Sequence, residues 1–120
     1  MKLRMVNERD KIKFEEEKRA YTVRARNEQY LICTKPFNPK HTVLYTIIDL
    51  VEGIRGTNDF IFNPYNYAIT EDCQRCLKDL ISGEAKISKR NRIPLKIKSV
   101  YVFDSFLEDF ICIQLQMKIT

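Results

Sequence analysis

The chain has 120 residues, 44% of them hydrophobic and 31% charged, with a net charge of +5. That is the make-up of one modest globular domain and excludes an intrinsically disordered chain. No apolar run approaches the roughly 18 to 20 residues of a membrane span, and MKLRMVNERDKIKFEEEKR lacks the apolar core of a secretion signal, so the expected compartment is the cytoplasm, with no membrane partner.

The first 19 residues read as a charged N-terminal arm or short helix. Within NERDKIKFEEEKR only Ile12 and Phe14 are apolar anchors. Asn7 is a candidate cap with Asp10 three residues on, but two anchors bury too little to hold an independent helix. Residues 20–120 are expected to form a single α+β domain.

From Ala20 the pattern has period two. In YTVRAR, Tyr21, Val23 and Ala25 alternate with Thr22, Arg24 and Arg26, the mark of a half-buried strand. RNEQ reads as a turn and YLICT as a second strand pairing back. KPFNPKH, with two prolines, predicts a loop that ends the strand. TVLYTIIDL is rich in β-branched residues and is the strongest strand signal in the chain. EGIRGTND then supplies a turn or hairpin, and FIFNPYNYAI, broken by Asn63-Pro64, an edge strand or packed loop.

A helix is predicted over about 71–82. Thr70 is the candidate N-cap, Glu71 and Asp72 sit where the helix dipole favours negative charge, and Gly83 closes the end. Cys73, Cys76, Leu77, Leu80 and Ile81 fall on one apolar stripe. After it, SVYVF predicts a short strand and DSFLEDF an acidic, aromatic connection. Residues 110–120 alternate, placing Ile111, Ile113, Leu115, Met117 and Ile119 on a core-facing side. The expected fold is therefore α+β: a mainly antiparallel sheet of about five strands with one main helix packed on it.

Few residues point to catalysis. Cys73-x-x-Cys76 lies in the first turns of the helix, where a redox or metal pair is conceivable. A zinc site wants a second tight pair, however, and Cys33, Cys112 and His41 stand alone. The apolar stripe favours core packing for both thiols. His41 has no nucleophile motif beside it, and three glycines cannot make a phosphate-cradling loop. Glu71-Asp72 and Glu108-Asp109 are adjacent in sequence and do not converge as helical neighbours. The expectation is a protein that is not an enzyme and uses no cofactor or metal.

The charge is the distinctive feature. Residues 86–98 hold six basic and no acidic side chains, while the rest of the chain is close to neutral. Lys86, Ser88, Lys89, Arg90, Asn91 and Arg92 precede Pro94, and such a mixture of cations and hydrogen-bonding side chains suits phosphate contact. Beyond Pro94, Leu95 and Ile97 alternate with Lys96 and Lys98, a strand with a wet face. The bland alternative for the whole stretch is a solvated basic loop.

EQYLICTKPFNPKHTVLYTIIDL, IRGTND and SKRNRIPL, spread over about residues 21–97, resemble segments of small, largely uncharacterised proteins encoded by phages and mobile elements of Firmicutes and gut bacteria. The resemblance implies a bacterial host cytoplasm and an accessory protein that acts by binding, for example as an anti-CRISPR-like inhibitor of a bacterial defence or nucleic-acid-processing complex. Its partner would then be a host or defence protein. Acidic mimicry of DNA does not suit a basic chain. The alternative expectation is a DNA- or RNA-binding accessory protein that uses loop 86–92 with Arg24 and Arg26.

Overall fold

The computed structural model describes residues 3–37, 42–57 and 65–113. It shows an α+β fold: one eight-stranded antiparallel sheet with one main helix packed on it, against the five strands expected. In chain order the strands are β1 (Lys11–Phe14), β2 (Tyr21–Arg26), β3 (Tyr30–Phe37), β4 (Thr42–Asp49), β5 (Ile54–Thr57), β6 (Arg92–Pro94), β7 (Ile97–Asp104) and β8 (Asp109–Ile113). The helix, α1, spans Thr70–Ser82. Across the sheet the order is β6-β5-β4-β3-β2-β1-β7-β8.

That order forces the sheet to curl. β6 and β7 are separated only by Leu95 and Lys96, yet they pair with β5 and β1 respectively, four intervals apart in the order. A flat sheet would hold β5 and β1 about 19 Å apart. Instead, the Arg55 guanidinium of β5 lies 3.8 Å from the ring centroid of Phe14 on β1. The strands thus wrap into a near-barrel, with the bent run β6–β7 closing the seam and β8 extending past it as an edge.

Residues directly opposite in the ladders share a face, so pairing and burial together assign each side. The concave interior holds Ile12, Phe14, Tyr21, Val23, Leu31, Cys33, Ile48, Ile97 and Val100, with Leu3 and Val6 from the N-terminal segment packed into the same cluster. The convex side carries α1 on Ala25, Ile32 and Ile47. Helix residues Cys73, Cys76, Leu77 and Leu80 are buried there. Two bulges assist the curl, one between Val23 and Ala25 and one between Lys13 and Phe14.

Several expectations are corrected. Residues 11–14, read as part of an exposed helix or arm, form a central strand whose Ile12 and Phe14 are completely buried. The first bulge turns Ala25 to the face opposite Val23, so β2 does not keep one apolar face along its length. β3 runs through Lys35-Pro36-Phe37 rather than stopping there. Its pairing with β2 ends at Thr34, so Pro36 has a strand neighbour on one side only and its missing N–H costs no second ladder.

Thr70 is the first helical residue and not the cap; Ile69 holds that place without a side-chain bond. Asp72 instead accepts the Asn66 N–H at 2.8 Å. Ile81 is exposed and lies outside the buried stripe. Ile111 is also exposed, on β8, which among the described residues pairs with β7 alone. Residues 114–120, 60–64 and His41 lie outside the described residues.

Candidate functional site

The basic segment leaves α1 through Gly83, whose φ of 87° is the left-handed conformation that ends a helix. Ala85 and Ile87 then turn inward against the helix side of the sheet, which pins the loop and sends Lys86 outward. A single 3-10 turn, Lys89–Asn91, follows; the Asn91 N–H donates to the Ser88 carbonyl at 3.1 Å. The chain enters β6 at Arg92, opposite Gly56 on β5.

Lys86, Lys89, Arg90 and Arg92 are exposed, while Ser88 and Asn91 are half-buried. Lys96 and Lys98 are exposed as well, between buried or half-buried Ile93, Leu95 and Ile97. Among the described residues, none of these six cations makes an ion pair. Arg92, Asp49 and Glu52 all act electrostatically on the Tyr30 phenol, so carboxylates border the strip at its Arg92 side. The other five cations are exposed, and among the described residues none of them has an ion-pair partner.

Arg24 and Arg26 are not gathered into that strip. Arg24 occupies the first bulge, and its Nη2 donates to the Ala68 carbonyl, ahead of α1, at 2.9 Å. Lys86 follows the other end of the same helix, which is about 20 Å long. Arg26 donates to the carbonyls of Arg4 and Val6, tying the N-terminal segment to β2. Both side chains are half-buried and bonded to backbone.

Cys73 and Cys76 are completely buried under α1. Burial raises the Cys73 thiol above its ordinary value and pushes Cys76 up to about 12, which disfavours a free thiolate at either position at neutral pH. Glu71 and Asp72 lie in the first helical turn, and Asp72 pairs with Arg75 at 3.4 Å. Asp109 opens β8 and its side chain accepts the Phe110 N–H.

A second cluster has no counterpart in the sequence reading. Arg55, with a side chain only 2% exposed, points into the near-barrel. Its Nη2 lies 2.9 Å from Glu16 Oε1 and 2.9 Å from Glu17 Oε2, and its Nη1 donates to Thr46 Oγ1 at 3.3 Å. Lys35 Nζ and the Tyr21 hydroxyl both donate to Glu17 Oε1 at 2.7 Å, and Lys35 also lies over the Tyr21 ring. Burial alone would raise the Glu17 carboxyl. The hydrogen bonds from Lys35 and Tyr21, with the charges of Arg55 and Lys35, outweigh it and hold Glu17 below the ordinary carboxylate range.

The cluster pairs two cations with two carboxylates and so is neutral as a set; it locks β5 and β3 to the segment after β1. Arg55 and Lys35 escaped notice because cations in strands are expected to face water. No local signal in the sequence marks Arg55; its inward turn follows only from the pairing, in which Asp49 lies opposite Ile54 and Arg55 opposite the inward Ile48.

No protein-family model matches this chain, and no curated protein or solved structure shows significant similarity to it.

Proposed function

We propose that the protein is a non-catalytic binding protein that grips nucleic acid through the strip Lys86–Lys98. The observation that supports this reading is that all six cations of the strip are exposed and, among the described residues, unpaired. Structural cations elsewhere in the fold are used up: Arg55 and Lys35 by carboxylates, Arg24 and Arg26 by carbonyls. Unpaired cations on a rigid strand and a tethered loop neutralise phosphates and release counterions. Four contacts to a single strand give a log–log salt slope of about −3. Fluorescence anisotropy with labelled oligonucleotides across a salt series measures this slope. Lys89→Glu with Arg90→Glu is expected to weaken binding and flatten the slope; an absence of binding by the wild-type protein at low salt overturns the reading.

A second reading, a stoichiometric inhibitor of a bacterial defence or nucleic-acid-processing complex, is favoured by the β7–β8 turn. Phe106 is 93% exposed and Leu107 59% exposed there, beside Asp104, Glu108 and Asp109. Exposed apolar side chains of this size commonly mark protein contacts. In pull-downs from a bacterial lysate, Phe106→Asp is expected to lose a partner that wild type retains. Equal capture by both removes this reading.

A further inference from the structure

The strip does not end at Lys98. Along the convex side of the bent run β6–β7, the outward residues are Arg92, Lys96 and Lys98, and after the bulge at Lys98 the same side continues with Tyr101 and Phe103. The residues opposite them on β1 and β8 share that face. Lys13 lies opposite Ser99, Lys11 and Cys112 opposite Tyr101, and Phe110 opposite Phe103. One surface therefore runs from a basic end, bordered by Asp49 and Glu52 beside Arg92, to an end where cations and aromatic rings interleave.

The aromatic end is built closely. The Phe103 and Phe110 rings meet edge to face at 5.3 Å. The Arg9 guanidinium lies 4.1 Å from the Phe103 centroid, and Lys11 Nζ 4.5 Å from that of Phe110. Arg9 is exposed, while Tyr101, Phe103 and Phe110 are half-buried. Asp10, set into the same corner, is buried; its two carboxylate oxygens accept the N–H groups of Asn7 and Phe103.

Arg9 reaches this place at a backbone cost. It closes the turn Asn7–Asp10 with φ at 80°, a conformation glycine adopts freely and arginine does not. A strained non-glycine residue whose side chain covers an aromatic ring on a cationic face is an outlier that points to use.

We infer that the convex face of β1, β7 and β8 is a single-strand platform: phosphates of an RNA or single-stranded DNA track Lys13, Lys96 and Lys98, and unpaired bases stack on Tyr101 and on the Arg9–Phe103 pair. Aromatic faces and guanidinium planes among cations recognise unpaired bases of any sequence, whereas a duplex hides its base faces. This inference rests on the nucleic-acid reading above and deepens it by naming the ligand class.

The test uses the full chain with a single-stranded oligonucleotide carrying 2-aminopurine and with the duplex of the same sequence. The wild-type protein is expected to bind the single strand at least about 10-fold more tightly and to change the 2-aminopurine emission as bases stack. Tyr101→Leu is expected to weaken single-strand binding about 10-fold, within the range for loss of one stacked base. Arg9→Gly is expected to weaken it similarly while leaving the melting temperature equal or higher, because glycine relieves the turn. Equal or tighter duplex binding overturns the inference. So does wild-type affinity in both variants alongside loss of binding in Lys89→Glu, Arg90→Glu, an outcome that leaves the nucleic-acid reading standing. If no form binds at low salt, both fall.

Discussion

Arg55 on β5 sits over the ring of Phe14 on β1 at 3.8 Å, although three strands separate them in the sheet order. This contact, with the ion pairs to Glu16 and Glu17, fastens one side of the near-barrel to the other. Glu17 keeps Lys35 and Tyr21 when Arg55 is removed and Glu16 is exposed, so the loss comes from the interior emptied beside Phe14. Arg55→Ala is therefore expected to lower the urea unfolding free energy by about 2–5 kcal/mol, the scale of a large buried side chain cut to alanine. Arg55→Met, which keeps a stem against Phe14, is expected to lose less. A loss below about 1 kcal/mol for the alanine variant, the scale of an exposed pair, would show that the curl is held elsewhere.

Glu17 makes stability depend on pH in a specific window. Its folded carboxyl is held below the ordinary value of 4.5, so protonation favours the unfolded chain. The stability it contributes is complete above about pH 4.5 and is lost as pH falls through the depressed folded value. Unfolding free energies measured between pH 7 and pH 3 are expected to fall less steeply for Glu17→Gln than for wild type. Parallel profiles would remove Glu17 from the acid response.

Local patterns made much of this fold readable. Tyr21–Arg26 alternates, Tyr30–Thr34 is a short apolar run set off by a turn, and the stripe from Cys73 to Leu80 has helical spacing; these segments form β2, β3 and α1. Lys11–Phe14 also alternates, but over only four residues inside a charge-dense stretch, so its period-two signal was outweighed. What depends on pairing was not readable. The inward turn of Arg55 follows from the β4–β5 register, and the change of face at Ala25 follows from a bulge. The basic half of the convex strip shows in the charge count. Its aromatic half becomes visible only when β7 is paired with β1 and β8.

Gly83 offers a clean measure of the helix end. Its φ is 87°, and a Cβ added there meets no atom within 4 Å. Substitution thus costs backbone strain and no packing. Gly83→Ala is expected to destabilise the fold by about 1–2 kcal/mol, the penalty of the left-handed conformation, and Gly83→Asn by less, since asparagine tolerates that region. Equal melting temperatures for Gly83→Ala and wild type would refute a left-handed closure of α1.

The four cysteines should separate by accessibility. Cys33, Cys73 and Cys76 are completely buried, whereas Cys112 is exposed on the edge strand β8. Burial pushes the Cys33 thiol up to about 12, outweighing the opposite effect of the Arg55 charge, and raises Cys73 and Cys76 as well. Reaction with a thiol reagent requires both access and thiolate, and the three interior groups have neither until the fold opens. At neutral pH the native protein is expected to react at one thiol within minutes and at all four in denaturant, and Cys112→Ser should abolish the fast phase. Cys112 also lies opposite Tyr101 on the convex face. Single-stranded nucleic acid bound there is therefore expected to slow labelling of Cys112 in the wild-type protein and to lose that protection in Tyr101→Leu. An unprotected Cys112 under saturating oligonucleotide would place the bound strand away from β8.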